Sequence, residues 1–304
     1  MYIEQLKQKK TSLLLYLPVP LCFFALIIFN YIGTQNVDAE EFINTLVNNL
    51  GENIAFIILV GPLAVMCLGL LFWVYFVHQQ SLRSLTTSRT KVDWQRIFFS
   101  FSLWGTFIVV TTLLAYYSSP ENYVFNFKPV PFFIFLFLAL ILIPLQTSFE
   151  EYFFRGYLMQ GLGLATNTRW FPFVFTSIAF GLMHIANPEV GKMGYIILTY
   201  YIGTGFFLGI LTLMDEGLEL ALGFHAANNL FGALLLTSDW SAFQTPSIFK
   251  DAAEPSAGFD VILPVFIIFP ILLFIFSKKY RWTNWNQKLF GTLNSRETSN
   301  TLTP

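Results

Sequence analysis

Charge is scarce in this chain. Asp, Glu, Lys and Arg make up 12% of its 304 residues, against about 25% in an ordinary soluble domain. Net charge is −1, so no basic surplus points to nucleic acid as a partner. The two cysteines, Cys22 and Cys67, lie inside apolar runs without metal-type spacing; each reads as a small lipid-facing or core residue. The chain has no G-x-S-x-G elbow, no H-E-x-x-H helix signature, no Gly-rich phosphate loop and no evident internal repeat. These absences exclude the usual serine hydrolases, zincins and nucleotide-binding folds.

What is present is bulky and apolar: 55% of residues are hydrophobic, among them 36 Phe, 13 Tyr and 7 Trp. No water-soluble fold hides that much surface, so lipid is the solvent for most of the chain. A bilayer core needs roughly 20 apolar residues per helix. By that measure about eight spans are predicted, near Leu13 to Ile32, Asn53 to Val77, Ile97 to Tyr117, Pro131 to Leu158, Phe171 to Ala186, Met193 to Met214, Leu218 to Leu236 and Val261 to Ser277. The expected fold is an all-α polytopic transmembrane bundle. The stretch from MYIEQLKQKK onward, lacking an A-x-A cleavage pattern, is expected to be a retained first helix.

With the N-terminus cytoplasmic, every Lys and Arg except Lys128, Lys192 and Lys250 falls inside, including Lys9, Lys10 and Arg296, a strong positive-inside bias. Both termini are therefore expected in the cytoplasm, and a bacterial cytoplasmic membrane is the plainest location. Three regions are expected: N-terminal spans over 1–130, a polar-bearing core of four spans over 131–236, and an external loop, last span and disordered tail over 237–304. Trp240 and Phe243 are expected at the interface.

Polar residues inside apolar helices carry the functional signal, because a charge at mid-bilayer costs roughly 2.5 to 3.5 kcal/mol on the insertion scale. The fourth span ends in LQTSFEEYFFRGYLMQG. Glu151 and Arg155, four apart, share a face and can pair; Glu150 points about 100° away and is left for other work. His184 follows Phe180 by four residues, so the ring would form an apolar wall. His225 precedes Asn229 by four, so both leave one helix face, whereas Asn228 points elsewhere. From the helix ends, Glu150 lies roughly 16 Å deep and His225 about 12 Å, but His184 roughly 21 Å; the cluster closes only if the fifth span is tilted, begins late or meets the fourth span above its end. His78, beside Gln79 and Gln80, reads as an interfacial residue without chemistry.

Peptide hydrolysis needs a base for water and donors for the developing oxyanion. Glu150 can be the base with His184 holding the water, and His225 with the Asn229 amide can face the oxyanion; Glu151 and Arg155 brace the helix. The same Glu150, His184 and His225 could instead bind zinc or another divalent metal, and the residues alone leave that open.

In order on separate membrane helices, Glu150, Glu151 and Arg155 (EExxxR), Phe180 and His184 (FxxxH), and His225 and Asn229 (HxxxN) resemble the CAAX prenyl endopeptidase and bacteriocin-processing (CPBP, Abi-like) family over about residues 131–236. The resemblance implies an intramembrane glutamate-dependent endopeptidase with a cavity open to the cytoplasm. It assigns water activation to Glu150 and His184 and the oxyanion to His225 and Asn229, favours a mechanism without cofactor, and implies a membrane-associated peptide or protein substrate. Prenylated, bacteriocin-related and other substrates are all compatible. The rival readings are a proton-coupled transporter, since buried ionisable groups also mark ion paths, and a non-catalytic immunity or scaffold protein.

Overall fold

The computed structural model describes residues 1–8, 12–33, 37–255 and 258–293. Lys9, Lys10, Arg296 and the end of the expected disordered tail lie outside the described residues. The chain is a bundle of helices: α1 Pro18–Gly33, α2 Ala39–Leu50, α3 Glu52–Phe72, α4 Leu82–Thr86, α5 Trp94–Ser118, α6 Pro129–Glu151, α7 Met159–Thr166, α8 Trp170–Leu182, α9 Pro188–Met193, α10 Ile197–Asp215, α11 Glu219–Leu235, α12 Phe259–Leu263, α13 Phe269–Tyr280 and α14 Trp285–Phe290. The last of these lies where disorder was expected. Phe29, Phe133, Phe137, Phe266 and Phe274 are exposed on the outside, as lipid contact requires.

Six helical stretches among the described residues are long and apolar enough to cross a bilayer, where eight were predicted: Leu13–Gly33, Glu52–Val77, Trp94–Ser118, Pro129–Thr166, Ile197–Asp215 and Val261–Tyr280. The predicted fifth and seventh spans are the shorter helices α8, of 13 residues, and α11, of 17. At 1.5 Å per residue they reach about 20 and 26 Å. Both lie against other helices, α8 on α10 and α11 on α5 and α6. A helix buried along most of its length, as α11 is, needs neither full bilayer length nor a wholly apolar surface; α8 leaves Trp170, Phe175, Ile178 and Leu182 exposed. The fourth span is the opposite case. It runs for 38 residues, because α6 continues through a π-helical segment, Tyr152–Leu158, into α7 before Asn167 ends it in the left-handed conformation (φ 53°).

Close helix approach depends on small residues. A Cβ on Gly205 of α10 would lie 2.3 Å from the Ser177 carbonyl of α8, and one on Gly223 of α11 would lie 2.2 Å from the Ile97 carbonyl of α5. At one end of the bundle, β1 (Tyr123–Phe125), β3 (Phe249–Asp251) and β2 (Leu236–Thr237) form a small sheet in that order, β3 antiparallel to β1 and parallel to β2. Phe243 is half-buried, its ring edge-on to buried Phe56. Cys22 is exposed and Cys67 buried.

Candidate active site

Glu150, Glu151 and Arg155 are all buried within the bundle, the last two fully. Such charges persist only when paired and hydrogen-bonded, and the pairing is explicit. Arg155 Nη1 donates to Glu151 Oε1 at 3.0 Å and Nη2 to the Gly205 carbonyl at 3.1 Å. Its guanidinium lies over the Phe180 ring, 4.1 Å from the centroid. Phe180 is thus more than an apolar wall: its face is spent on the arginine. The helix that carries these residues turns π-helical at Tyr152, directly after the two glutamates, a local widening often found at functional sites.

The second oxygen-sharing partner comes from α11. His225 Nδ1 lies 2.8 Å from Glu151 Oε1. A carboxylate only accepts, so Nδ1 carries the proton. His225 Nε2 then faces Glu150, 3.7 Å from its Oε2. In the neutral imidazole Nε2 is an acceptor; it donates only when the ring is protonated. Glu150, Glu151 and Arg155 together carry one net negative charge, so a single proton on His225 or Glu150 balances the cluster.

Glu150 Oε1 accepts from Gln146 Nε2, one helical turn earlier. Gln146 Oε1 accepts from Asn229 Nδ2 at 3.1 Å, Asn229 Oδ1 from Asn228 Nδ2 at 3.1 Å, and Asn228 Oδ1 from Trp104 Nε1 at 3.1 Å. A chain of side-chain amides thus runs from Trp104 on α5 to the Glu150 carboxylate. Glu150 Oε2 is buried with no hydrogen-bond partner among the described residues, and Glu150 is one of the residues that line a cavity. Asn228, expected to point elsewhere, is instead part of the chain and lines the same cavity as Asn229.

His184 sits in the turn after α8, which explains its depth. Since α8 ends at Leu182, the residue that seemed too deep lies where the helix has stopped and the chain turns. Gly156, level with Leu218 in the packing, sets the register of the rest: Glu150 on α6 and His225 on α11 each lie about six or seven residues above that level, ~10 Å. His184 Nδ1 bonds the Phe180 carbonyl at 2.9 Å, and the ring stacks on Tyr201 at 4.4 Å between centroids. A carbonyl only accepts, so Nδ1 is the donor and Nε2 of the neutral ring is an acceptor.

Glu150, His184, His225 and Asn229 line one cavity of about 1130 Å³. Its other walls include Tyr200, Tyr201 and Thr204 of α10, Ala39 and Ile43 of α2, and Asn187, Glu189, Ala242 and Phe243 from two connections. Glu189 Oε1 accepts from the Ala242 N–H at 2.9 Å, joining those connections. Among the described residues no three His, Cys, Asp or Glu side chains are grouped as a metal site; Glu150, His184 and His225 share the cavity without closing as a ligand set. His78, expected at an interface, is buried, with Nε2 3.0 Å from the Tyr157 hydroxyl. It does not line the cavity.

Residues 129–231 match the family described as type II CAAX prenyl endopeptidase Rce1-like. Over a longer stretch the chain is 33% identical, across 183 residues, to YyaK, an uncharacterized protein of Bacillus subtilis (strain 168); the alignment takes in 60% of this chain and 61% of that one. No solved structure matches the chain. The Rce1-like region holds Gln146, Glu150, Glu151, Arg155, Phe180, His184, His225 and Asn229. It holds neither Trp104, where the amide chain starts, nor the α2 and Ala242–Phe243 walls of the cavity. Gln146 was legible as the residue one turn before Glu150. Tyr201, Trp104 and Glu189 come from other elements and carry no sequence signal that links them to the motifs.

Proposed function

We propose that the protein is an intramembrane endopeptidase that hydrolyses a peptide bond of a membrane-associated protein or peptide. The observation that carries this reading is the Glu150 carboxylate, buried at the cavity wall with Oε1 fixed by Gln146 and Oε2 unpartnered. A base so held at the cavity wall is positioned to take a proton from water there with little reorientation. His184 Nε2, an acceptor when Nδ1 donates to Phe180, accepts a hydrogen bond from the other O–H of that water, which stays on the oxygen as it attacks the scissile carbonyl. The proton removed by Glu150 passes to the leaving amine as the C–N bond breaks. His225, once protonated and held by Glu151, and the remaining N–H of the Asn229 amide donate to the oxyanion. Arg155 acts through Glu151 and positions His225.

The grouping of His and carboxylate side chains does not fit a three-ligand metal site, and no step is routed through a metal. The experiment is cleavage of a membrane-tethered peptide library by purified wild-type protein, Glu150→Gln and His184→Ala, with and without chelator. Loss of cleavage in both variants, with wild-type activity kept in chelator, is expected. Wild-type activity lost with chelator would assign a zinc or other metal role instead; full activity in both variants would overturn the reading. A transporter, or a non-catalytic immunity or scaffold protein, would yield no cleavage by wild type.

A further inference from the structure

The cavity runs to one end of the bundle, and the charges say which side that is. Its walls at that end are Ala39 on α2, Asn187 and Glu189 around the start of α9, and Ala242 after α11. The three connections are tied to one another: Lys192 pairs with Glu40 at 2.7 Å, Gln244 donates to Asn44 at 2.8 Å, and Ala242 donates to Glu189. Lys128, Lys192 and Lys250 also belong to this end, the last paired with Asp239 at 2.8 Å. Direct contacts place all these connections on the same side as the small sheet: Ala242 meets Glu189, Gln244 meets Asn44, and the segment that follows Gln244 bonds Asn126 and pairs with β1.

The opposite end is basic and closed. Arg89 pairs with Asp215 at 3.0 Å and with Glu219 at 3.1 Å, Lys288 donates to the Met214 carbonyl at 2.8 Å, and Thr87 bridges to Gly217. Asp215 and Glu219 are buried under this cover, Glu219 about one and a half turns below His225 on α11. None of the residues of this seal lines the cavity. An end rich in Lys and Arg lies on the cytoplasmic side of a bilayer.

We infer that the catalytic cavity opens to the non-cytoplasmic side of the membrane, and that its substrates are peptide segments presented on that side. This reverses the cytoplasmic opening that the resemblance implied. It rests on the proposed protease reading for the word substrate, but the direction of opening stands on geometry and charge alone. Among the described residues, the charged side chains that line the cavity are Glu150 deep in it and Glu189 near the mouth, with no Lys or Arg, so a neutral or cationic segment is favoured over an acidic one.

The test is cysteine accessibility in intact bacterial cells expressing the full chain with Cys22→Ser and Cys67→Ser. Ala242→Cys reports the mouth, Glu41→Cys the same end away from it, and Lys91→Cys the basic end. With a membrane-impermeant maleimide, Ala242→Cys and Glu41→Cys are expected to label in intact cells and Lys91→Cys only after permeabilisation. The reverse pattern overturns the inference. Labelling of Glu41→Cys with complete protection of Ala242→Cys also overturns it, because the mouth would then be closed. Labelling does not depend on cleavage, so absence of protease activity in purified protein would sink the proposed function while leaving this result readable.

Discussion

The Asn229 amide donates to Gln146 at 3.1 Å, and Gln146 in turn donates to Glu150. The residue expected to face the oxyanion is thereby joined, through one side chain, to the residue expected to activate water. Gln146 touches no reacting atom in this scheme; it is a positioning residue. Gln146→Leu keeps the volume and removes both bonds. We expect kcat to fall by about 10²-fold, the cost of a displacement of about 1 Å at a catalytic group, with KM little changed and the thermal midpoint kept. A rise in KM at constant kcat would instead mark Gln146 as a substrate-binding residue.

Arg155 and Glu151 are fully buried partners. Removing one member of such a pair leaves an uncompensated charge and costs about 3–5 kcal/mol. Arg155→Met should lower the thermal midpoint of the detergent-solubilised protein sharply. Arg155→Lys should also destabilise, though less, because a lysine cannot reach Glu151, the Gly205 carbonyl and the Phe180 face together. Equal midpoints for wild type and Arg155→Met would show that the pair does not brace the helix.

Gly205 of α10 lies close against α8, where an added Cβ would sit 2.3 Å from the Ser177 carbonyl. Gly205→Ala should cost about 1–3 kcal/mol by overpacking and lower cleavage as well, since His184 sits one turn-end beyond α8. Gly232→Ala, where an added Cβ meets nothing within 4 Å, should be neutral or slightly stabilising. Thermal midpoints of the two variants, measured side by side, check this.

Burial raises the Glu189 carboxyl above its ordinary value of 4.5, and the Ala242 N–H opposes that only in part. The folded state therefore holds this proton more tightly than the unfolded chain does. The stability it contributes is fully present below pH 4.5 and is lost as pH rises through the higher folded value. Glu189→Gln should remove that slope. Its thermal midpoint should match wild type in acid and exceed it at neutral pH; a variant less stable at neutral pH would show that the ionised form is the one held.

Much of this was legible along the chain. The motif residues are spaced so that Glu151 meets Arg155 and His225 shares a face with Asn229, because i, i+4 spacing survives whatever the helix packs against. Spans one to four, six and eight follow from length and hydropathy alone. Hydropathy overestimated the length of α8 and α11, which run for 13 and 17 residues; α11 is largely covered by other helices, whereas α8 also leaves Trp170, Phe175, Ile178 and Leu182 exposed. It also gave no warning that His184 belongs to a turn, which depends on where α8 ends, nor that His78 is buried, which depends on its packing against Tyr157 and Tyr16. Asn228 was set aside by helical phase, yet a side chain about 100° away still reaches its neighbour's oxygen at 3.1 Å. Trp104 and Tyr201 lie far from the motifs in sequence, and only packing brings them in.

The π-helical turn at Tyr152–Leu158 divides the long fourth span into two halves that keep different time. Above it the face that matters is read from Gln146 and Glu150; from its far end onward the face is read from Tyr157 and Gln160, which bond His78 and Gln80. The wider turn offsets one half from the other by about one residue, or ~100° of rotation. Deleting a single residue between 152 and 158 would therefore act less like shortening the helix than like turning a key: one half would keep its partners and the other would present its back.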